Sequence, residues 1–145
     1  MKKCDEVMTK NPVCLLPDEM VAEAARLMRN EDIGSVLVIE NEQNKKLVGI
    51  VTDRDLTIKI VADGLDARST KVEAVMTHQV VTCFAGDDLQ RALDAMAEHR
   101  LRRIPIVDAD HKVVGIIAQA DVATRADQPE KTAEVVREIS QANGT

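Results

Sequence analysis

The residues best suited to chemistry lie where an apolar run meets a charged segment, at Thr52-Asp53-Arg54-Asp55. The apolar run predicts a strand, and the charged segment predicts the start of a helix. A hydroxyl and free backbone amides at a helix start can receive a phosphate, and a carboxylate three residues later can accept both vicinal hydroxyls of a ribose. Thr52 and Asp55 are therefore candidate residues for binding a nucleotide.

The same four residues allow two other interpretations. T-x-x-D is also a capping box, in which Thr52 and Asp55 each bond the other's backbone amide. Asp53 and Asp55 could form a D-x-D metal site, although no second ligand cluster, activated nucleophile or glycine-rich phosphate loop accompanies them. The related segment from Ala118 to Asp121 keeps the carboxylate but has no hydroxyl. Because the carboxylate persists where the capping partner is lost, ligand contact is favoured at Thr52 and Asp55.

A cationic cluster, Arg100, Arg102 and Arg103, precedes the apolar run Ile104-Pro105-Ile106-Val107. Guanidinium groups bind phosphate in a bidentate manner, so this cluster is a candidate anion site. The alternative is that the arginines pair with surface carboxylates, which are abundant in this acidic chain.

Composition excludes several classes of function. The 145 residues carry a net charge of −6, with no Trp, no Tyr and Phe84 as the single aromatic residue. Nucleic-acid binding depends on clustered positive charge and often on aromatic stacking, so we expect no nucleic-acid partner. No apolar run is long enough to cross a membrane, and the acidic start does not fit a signal peptide. We therefore expect a cytoplasmic protein without a membrane partner.

The cysteines and histidines form no recognisable metal or disulfide pattern. There is no C-x-x-C pair and no pair of histidines at helical spacing, which indicates free thiols, surface imidazoles and no metal site. These residues are Cys4, Cys14, Cys83, His78, His99 and His111.

The chain is an internal duplication. Val7-Met8-Thr9 recurs 68 residues later as Val75-Met76-Thr77, and the run beginning at Leu47 recurs 66 residues later at Val113. The second copy has therefore lost two residues from a turn. A unit of this size buries its apolar face poorly on its own, so the two copies are expected to pack against each other.

The pattern of apolar and polar residues in each copy predicts the order strand, helix, strand, strand, helix. A T-x-x-E sequence from Thr70 to Glu73 predicts a capping box and a short helix ending near Met76. A last helix is predicted after Pro129. The predicted strands are 13–15, 36–39, 47–51, 81–83, 104–107 and 113–117, and the predicted helices include 53–62, closed by Gly64, and 119–125.

This doubled pattern resembles the cystathionine-beta-synthase (CBS) domain pair, or Bateman module, from about Val7 to Arg125. The motifs that carry the resemblance are V-M-T, the I-P-I-V-D of the second copy, and G-I-V-T-D-R-D. Thr52 to Leu56, running on to Gly64-Leu65-Asp66, is similar to small stand-alone bacterial pairs of the hypoxic-response type. The resemblance implies an α+β fold of tandem repeats about a pseudo-two-fold axis, with domains at 1–68 and 69–126 and a C-terminal helix and tail at 127–145.

The resemblance also implies which residues face a ligand. In such pairs adenine nucleotides or relatives bind in clefts between the repeats, where Thr and Asp of one repeat oppose the strand starts of the other. One cleft would combine Thr52, Asp55, Val80, Val81, Arg102 and Arg103. A second, weaker cleft would combine Asp121, Pro12, Val13 and Ser35, with Ala118 in place of the family's Ser or Thr.

We therefore expect a non-catalytic sensor that binds an adenine nucleotide and signals through a homodimer or a separate effector protein. AMP, ATP, NADH and S-adenosylmethionine are candidate regulatory ligands, and no cofactor is obligatory. The alternative is a structural or stress-response dimer whose clefts stay empty.

Overall fold

The structure is a computed structural model that describes residues 2–125, and its chain divides into two compact units. The first, Val13–Val80, is called the continuous unit. The other combines the stretch before Val13 with the chain from Val81 onward, described here as 2–12 with 81–125, and is called the split unit. The predicted segment 127–145, with its helix, lies outside the described residues.

The continuous unit has the predicted order of elements. Its elements are β2 (Cys14–Leu15), α2 (Val21–Glu31), β3 (Ser35–Ile39), β4 (Leu47–Thr52) and α3 (Asp53–Asp55). Strand β3 pairs in parallel with β2 and antiparallel with β4, giving a three-stranded sheet in the order β2-β3-β4.

The helix after β4 differs from the α-helix predicted over 53–62. After the single turn of α3 the chain continues as a π-helix, Leu56–Val61, and the amide of Ala62 donates to the carbonyl of Thr57 at 2.9 Å. Every residue from Thr57 to Val61 except Lys59 is β-branched, and their restricted side chains lower the preference for a regular α-helix. Gly64 ends the helix with φ of +69°, as its residue type predicts.

The capping box predicted at Thr70 and Glu73 is wrong. The segment forms a 3-10 turn, Val72–Ala74, and the Thr70 hydroxyl donates to the carbonyl of Asp66 at 2.8 Å. The Glu73 amide, from which the Thr70 hydroxyl would accept in a capping box, donates instead to the carbonyl of Pro17 at 3.1 Å. Long-range backbone pairing therefore replaces the local cap.

The split unit repeats this architecture with one added strand. Its four-stranded sheet has the order β1-β7-β6-β5, with β6 parallel to β5 and antiparallel to β7. Its elements are α1 (Cys4–Val7), β1 (Thr9–Lys10), β5 (Cys83–Phe84), α4 (Leu89–His99), β6 (Arg103–Val107), β7 (Val113–Ala118) and α5 (Gln119–Arg125). The prediction of two strand-helix-strand-strand-helix copies in an α+β fold is confirmed.

Backbone conformation repeats along with the sequence. Asp32 and Arg100, 68 residues apart, both end a helix in the left-handed region, with φ of 54° and 58°. Lys45 and His111, 66 residues apart, both have positive φ in the following turn, at 55° and 64°. The two residues missing from the second copy are therefore lost from the turn between the paired strands.

The V-M-T segments explain why the compact units differ from the sequence repeats. Thr9 in β1 pairs antiparallel with Ile116 of β7. Thr77 makes the equivalent bridge to Ile50 of β4, with backbone bonds of 2.9 and 2.8 Å. Each V-M-T segment thus lies in the unit of the other copy's strands. The boundaries 1–68 and 69–126 remain a prediction about repeats, because the packing follows a different division.

The valine and methionine of each segment complete a core. Val75 and Met76 are buried in the continuous unit, and Val7 and Met8 are buried in the split unit. Glycine makes room for each methionine. A Cβ placed on Gly49 would lie 2.6 Å from the Met76 sulfur, and one on Gly115 would run into the Met8 side chain. The absence of a side chain at these strand positions therefore allows the close approach.

Candidate functional site

The first junction, Thr52 to Asp55, links β4 to α3 and contains a complete capping box. The Thr52 amide donates to Asp55 Oδ2 at 3.0 Å, and the Asp55 amide donates to Thr52 Oγ1 at 3.0 Å. The capping interpretation of T-x-x-D is thus confirmed as local structure. Since a carboxylate offers about four acceptor positions, the cap alone does not exhaust Asp55.

Asp55 has further partners that the sequence did not indicate. Lys59 Nζ lies 3.2 Å from Asp55 Oδ1 and donates to the carbonyl of Val75 at 2.8 Å. The Thr77 hydroxyl donates weakly to Asp55, at 3.5 Å from each carboxylate oxygen. Asp55 is 9% exposed. This carboxylate therefore connects the strand end, the helix and the V-M-T segment.

The second junction, Ala118 to Asp121, links β7 to α5 and keeps half of the box. The Ala118 amide donates to Asp121 Oδ2 at 3.0 Å, and the Thr9 hydroxyl donates to Asp121 Oδ1 at 3.2 Å. The carboxylate thus persists without the capping hydroxyl, as the sequence indicates, but it still caps the amide of Ala118. Its persistence in the second copy therefore gives no support to ligand contact over capping, and ligand contact at Thr52 and Asp55 remains a prediction.

Arg102 and Arg103 lie beside the second junction, in the split unit. The Arg102 carbonyl accepts from the Gln119 amide at 3.1 Å, and Arg103 in β6 is paired with Ala118. Arg102 is exposed and Arg103 is half-buried. Burial lowers the pKa of the Arg103 guanidinium, and the Asp121 carboxylate acts in the opposite direction. Within its own unit, Arg103 thus belongs to the surroundings of Asp121.

The other predicted site residues are divided between the two units. Ser35 lies opposite Thr52 in the sheet, and Val13 is 53% exposed. The structure places Thr52, Asp55, Val80, Val13 and Ser35 in the continuous unit, and Val81, Arg102, Arg103, Pro12 and Asp121 in the split unit. Each predicted cleft draws on both units, so its assembly remains a prediction.

One buried polar atom of the second junction has no counterpart in the first. Gln119 Nε2 is buried and has no hydrogen-bond partner among the residues that the structure describes. The equivalent residue of the first copy is Asp53, whose Oδ1 accepts from the Arg54 amide at 2.8 Å. The two junctions therefore differ in the hydrogen bonding of the residue that follows the strand, as well as in the hydroxyl at their first residue.

The three cysteines are not joined in disulfides, and their surroundings make them poor nucleophiles. Burial raises the pKa of the Cys4 thiol to about 12 and that of Cys14 to about 11, with Lys45 opposing the shift at Cys14. Burial also raises the pKa of Cys83. Because the thiolate is the reactive form, these thiols are expected to react slowly.

Metal-ligating residues do not cluster in the part of the chain described, where no group of three or more His, Cys, Asp or Glu is arranged to hold an ion. His78, His99 and His111 are exposed, as predicted. Over the same residues, no helix has the length and apolarity needed to span a membrane.

Sequence comparison finds the same pair of domains. A family model described as the CBS domain matches residues 4–62 and 72–127. The CBS domain-containing protein YhcV of Bacillus subtilis is 33% identical over 143 residues, which cover 99% of both chains. Inosine-5'-monophosphate dehydrogenase of Methanocaldococcus jannaschii is 37% identical over 130 residues, 90% of this chain and 25% of that enzyme. The chain therefore spans about a quarter of the length of that enzyme.

Solved structures share the fold. The crystal structure of Hypoxic Response Protein I with two coordinated zinc ions matches with a TM-score of 0.74 and 31% identity, covering 84% of this chain and 97% of that one. The crystal structure of CBSX2 in complex with AMP matches with a TM-score of 0.71 and 25% identity, covering 99% of both chains. The resemblance to tandem pairs of the hypoxic-response type is confirmed.

Proposed function

Because the chain belongs to the CBS domain family, we propose that it is a non-catalytic sensor module that binds an adenine nucleotide through Thr52 and Asp55. The observation that carries the proposal is the match to CBSX2, whose crystal structure contains AMP and which this chain matches over nearly its full length. CBS domain pairs are regulatory modules that often bind adenosyl ligands. The candidate ligands are AMP, ATP, NADH and S-adenosylmethionine, none of them an obligatory cofactor.

The chemistry of the first junction supports this assignment. Asp55 Oδ2 is held by the Thr52 amide, so Oδ1, which Lys59 also contacts at 3.2 Å, is the oxygen proposed to accept hydroxyls of a ribose. With 9% of its surface exposed, Asp55 lies where an added hydrogen bond is weakened little by water. Arg102 and Arg103 are the proposed phosphate contacts, and Val80 and Val81 would contact the base. Asp121, Pro12, Val13 and Ser35 form a weaker second set.

The proposed mechanism is a shift in population between two arrangements of the module. A ligand that binds one arrangement more tightly raises its population, and a homodimer surface or a separate effector protein reads the change. The module performs no chemistry itself, in keeping with the occurrence of a related segment as a quarter of a much longer enzyme. We propose that it acts in the cytoplasm.

A structural or stress-response dimer without ligand is the second candidate. One observation favours it, since the capping box and the Lys59 ion pair provide Asp55 with partners from within the chain. In that case the duplicated carboxylates would serve the fold alone.

Calorimetric titration with AMP, ATP, NADH and S-adenosylmethionine tests the proposal. We expect at least one to bind, and we expect Asp55→Asn and Arg103→Ala to weaken it while Asp53→Asn, at an exposed residue of the same turn, leaves it unchanged. Far-ultraviolet circular dichroism checks that each variant is folded. Unchanged affinity in both site variants would place the site elsewhere, and no binding to any of the four would favour the structural dimer.

Absorbance gives an independent first observation. Without Trp or Tyr, the pure protein absorbs little in the near ultraviolet, so a co-purified nucleotide would be visible as an adenine band. Turnover of any nucleotide that disappears in Asp53→Ala would instead support the D-x-D alternative.

A further inference from the structure

We propose that Lys59 is an internal competitor for the ligand, whose ammonium occupies the oxygen of Asp55 that a ribose hydroxyl must reach. The inference rests on the proposed function and assigns to Lys59 a role in choosing among adenine ligands. Lys59 Nζ lies 3.2 Å from Asp55 Oδ1 and donates to the carbonyl of Val75 at 2.8 Å.

The two oxygens of Asp55 are not equivalent. Oδ2 accepts from the Thr52 amide at 3.0 Å, a bond that holds the first turn of the helix and that a ligand would break only at the expense of the fold. Oδ1 is therefore the oxygen on which a ribose hydroxyl would act as donor. The Lys59 ammonium donates to this same oxygen, and because the Asp55 side chain is only 12% exposed, we infer that the ammonium and the hydroxyl compete for it.

Exposure determines which of the two groups can move. The Lys59 side chain is 43% exposed, whereas the Asp55 side chain is 12% exposed. The ammonium can therefore swing into water on its long, flexible stem, while the carboxylate stays fixed by the capping box. Ligand binding would exchange an ion pair for a hydroxyl bond and release a positive charge at the edge of the site.

The released charge predicts a preference among ligands. A neutral nucleoside such as adenosine loses the ion pair and gains nothing from the freed ammonium. A nucleotide such as AMP brings phosphate oxygens that the same ammonium can meet after it leaves Asp55. Lys59 would thus select nucleoside phosphates over nucleosides without contacting the base.

Calorimetric titration of adenosine and AMP into the native chain, Lys59→Met and Lys46→Met tests this role. Lys46 is an exposed lysine in the turn between β3 and β4, so its replacement matches the change of charge. For Lys59→Met we expect adenosine to bind about threefold more tightly, the size expected for a partly exposed ion pair. AMP affinity should change little, because the lost competitor and the lost phosphate partner have opposite effects. Lys46→Met should match the native chain.

The dependence of adenosine affinity on ionic strength is a second test, because a lysine with a purely structural role would not change it. Salt screens the Lys59–Asp55 pair, so the affinity of the native chain for uncharged adenosine should rise with salt. The Lys59→Met variant should show no such rise. Lys59→Gln, which keeps a polar tip without charge, should behave like Lys59→Met, and circular dichroism should show both variants folded.

The outcomes separate this inference from the proposed function. Binding of AMP with an unchanged ratio of AMP to adenosine affinity in Lys59→Met would overturn the role of Lys59 and leave the sensor function standing. Weaker adenosine binding in folded Lys59→Met would also overturn it, because Lys59 would then support the ligand. No binding of either compound to the native chain or to Lys59→Met would overturn the role of Lys59, and the sensor function would fall with it only if ATP, NADH and S-adenosylmethionine also failed to bind.

Discussion

The two junctions show which parts of the duplicated site the fold requires. In both, the aspartate accepts from the last strand amide and from the threonine of a V-M-T segment. Only the first junction has a hydroxyl at its first residue, and with it the second half of the capping box. The shared bonds therefore serve the architecture, and the Thr52 hydroxyl, which is confined to one copy, is the better candidate for function.

The largest expected effect tests whether the V-M-T segments have the same structural role in both copies. Gly49→Val and Gly115→Val should each lower the free energy of unfolding by about 3 kcal/mol, because the new side chain overlaps Met76 or Met8. Urea unfolding followed by circular dichroism measures both. Gly86→Val, where an added Cβ meets nothing within 4 Å, is the matched control. A large effect at only one of the two strand glycines would show that the segments are not equivalent.

Removing the carboxylates compares the two junctions directly. We expect Asp55→Ala to lower the free energy of unfolding by about 2 kcal/mol, since the part-buried Thr52 amide loses its partner and Lys59 loses its ion pair. Asp121→Ala should cost less, because Asp121 is more exposed than Asp55. Chemical denaturation of both variants gives the difference. Equal losses would mean that Lys59 and the complete box add nothing to the shared bonds.

Exchanging the first residues makes each junction resemble the other. Thr52→Ala should cost about 1 kcal/mol, the usual effect of losing a capping hydroxyl. Ala118→Thr should raise the free energy of unfolding by a smaller amount, since the new hydroxyl can complete the capping box of the second junction. Thermal unfolding measures the two shifts, and Thr52→Ser should retain most of the native stability. A neutral Thr52→Ala would leave the hydroxyl without a structural role and strengthen its assignment to a ligand.

The smallest effect compares the thiols of the two units. At mildly alkaline pH iodoacetamide should modify Cys14 before Cys4, because Cys14 is half-buried with a pKa of about 11 and Cys4 is buried with a pKa of about 12. Mass spectrometry gives the order, with urea-unfolded protein as the reference for equal reactivity. Faster labelling of Cys4 would indicate that the split unit opens first.

The raised pKa of a buried thiol also makes the free energy of unfolding depend on pH, in a direction that can be predicted. Burial raises the pKa of Cys4 from its ordinary value of 9.0, so the folded chain keeps a proton that the unfolded chain releases. The contribution is complete below pH 9 and is lost as the pH rises towards about 12. Unfolding in urea across this alkaline range should show stability falling, and Cys4→Ala should reduce the slope.

The helices and strands of this fold could be predicted because the sequence pattern for each of them occurs in both copies. Apolar runs such as 36–39 and 104–107 agree in both copies, and both lie within observed strands. The capping of Asp55 followed from a spacing of three residues. The roles of Thr77 and Thr9 did not, because their aspartate partners are 22 and 112 residues away in sequence. The prediction of a capping box at Thr70 failed for the same reason, since the carbonyl of Pro17, which accepts from the Glu73 amide, is distant along the chain.

The exchange of V-M-T segments sets an order of events during synthesis. The continuous unit can close as soon as residue 80 has left the ribosome, because all of its strands are then available. The first twelve residues must wait for β7, which ends at Ala118, and until then Cys4, Val7 and Met8 have no core to enter. The stretch 2–12 is thus expected to fold after the continuous unit, although it is synthesised before it.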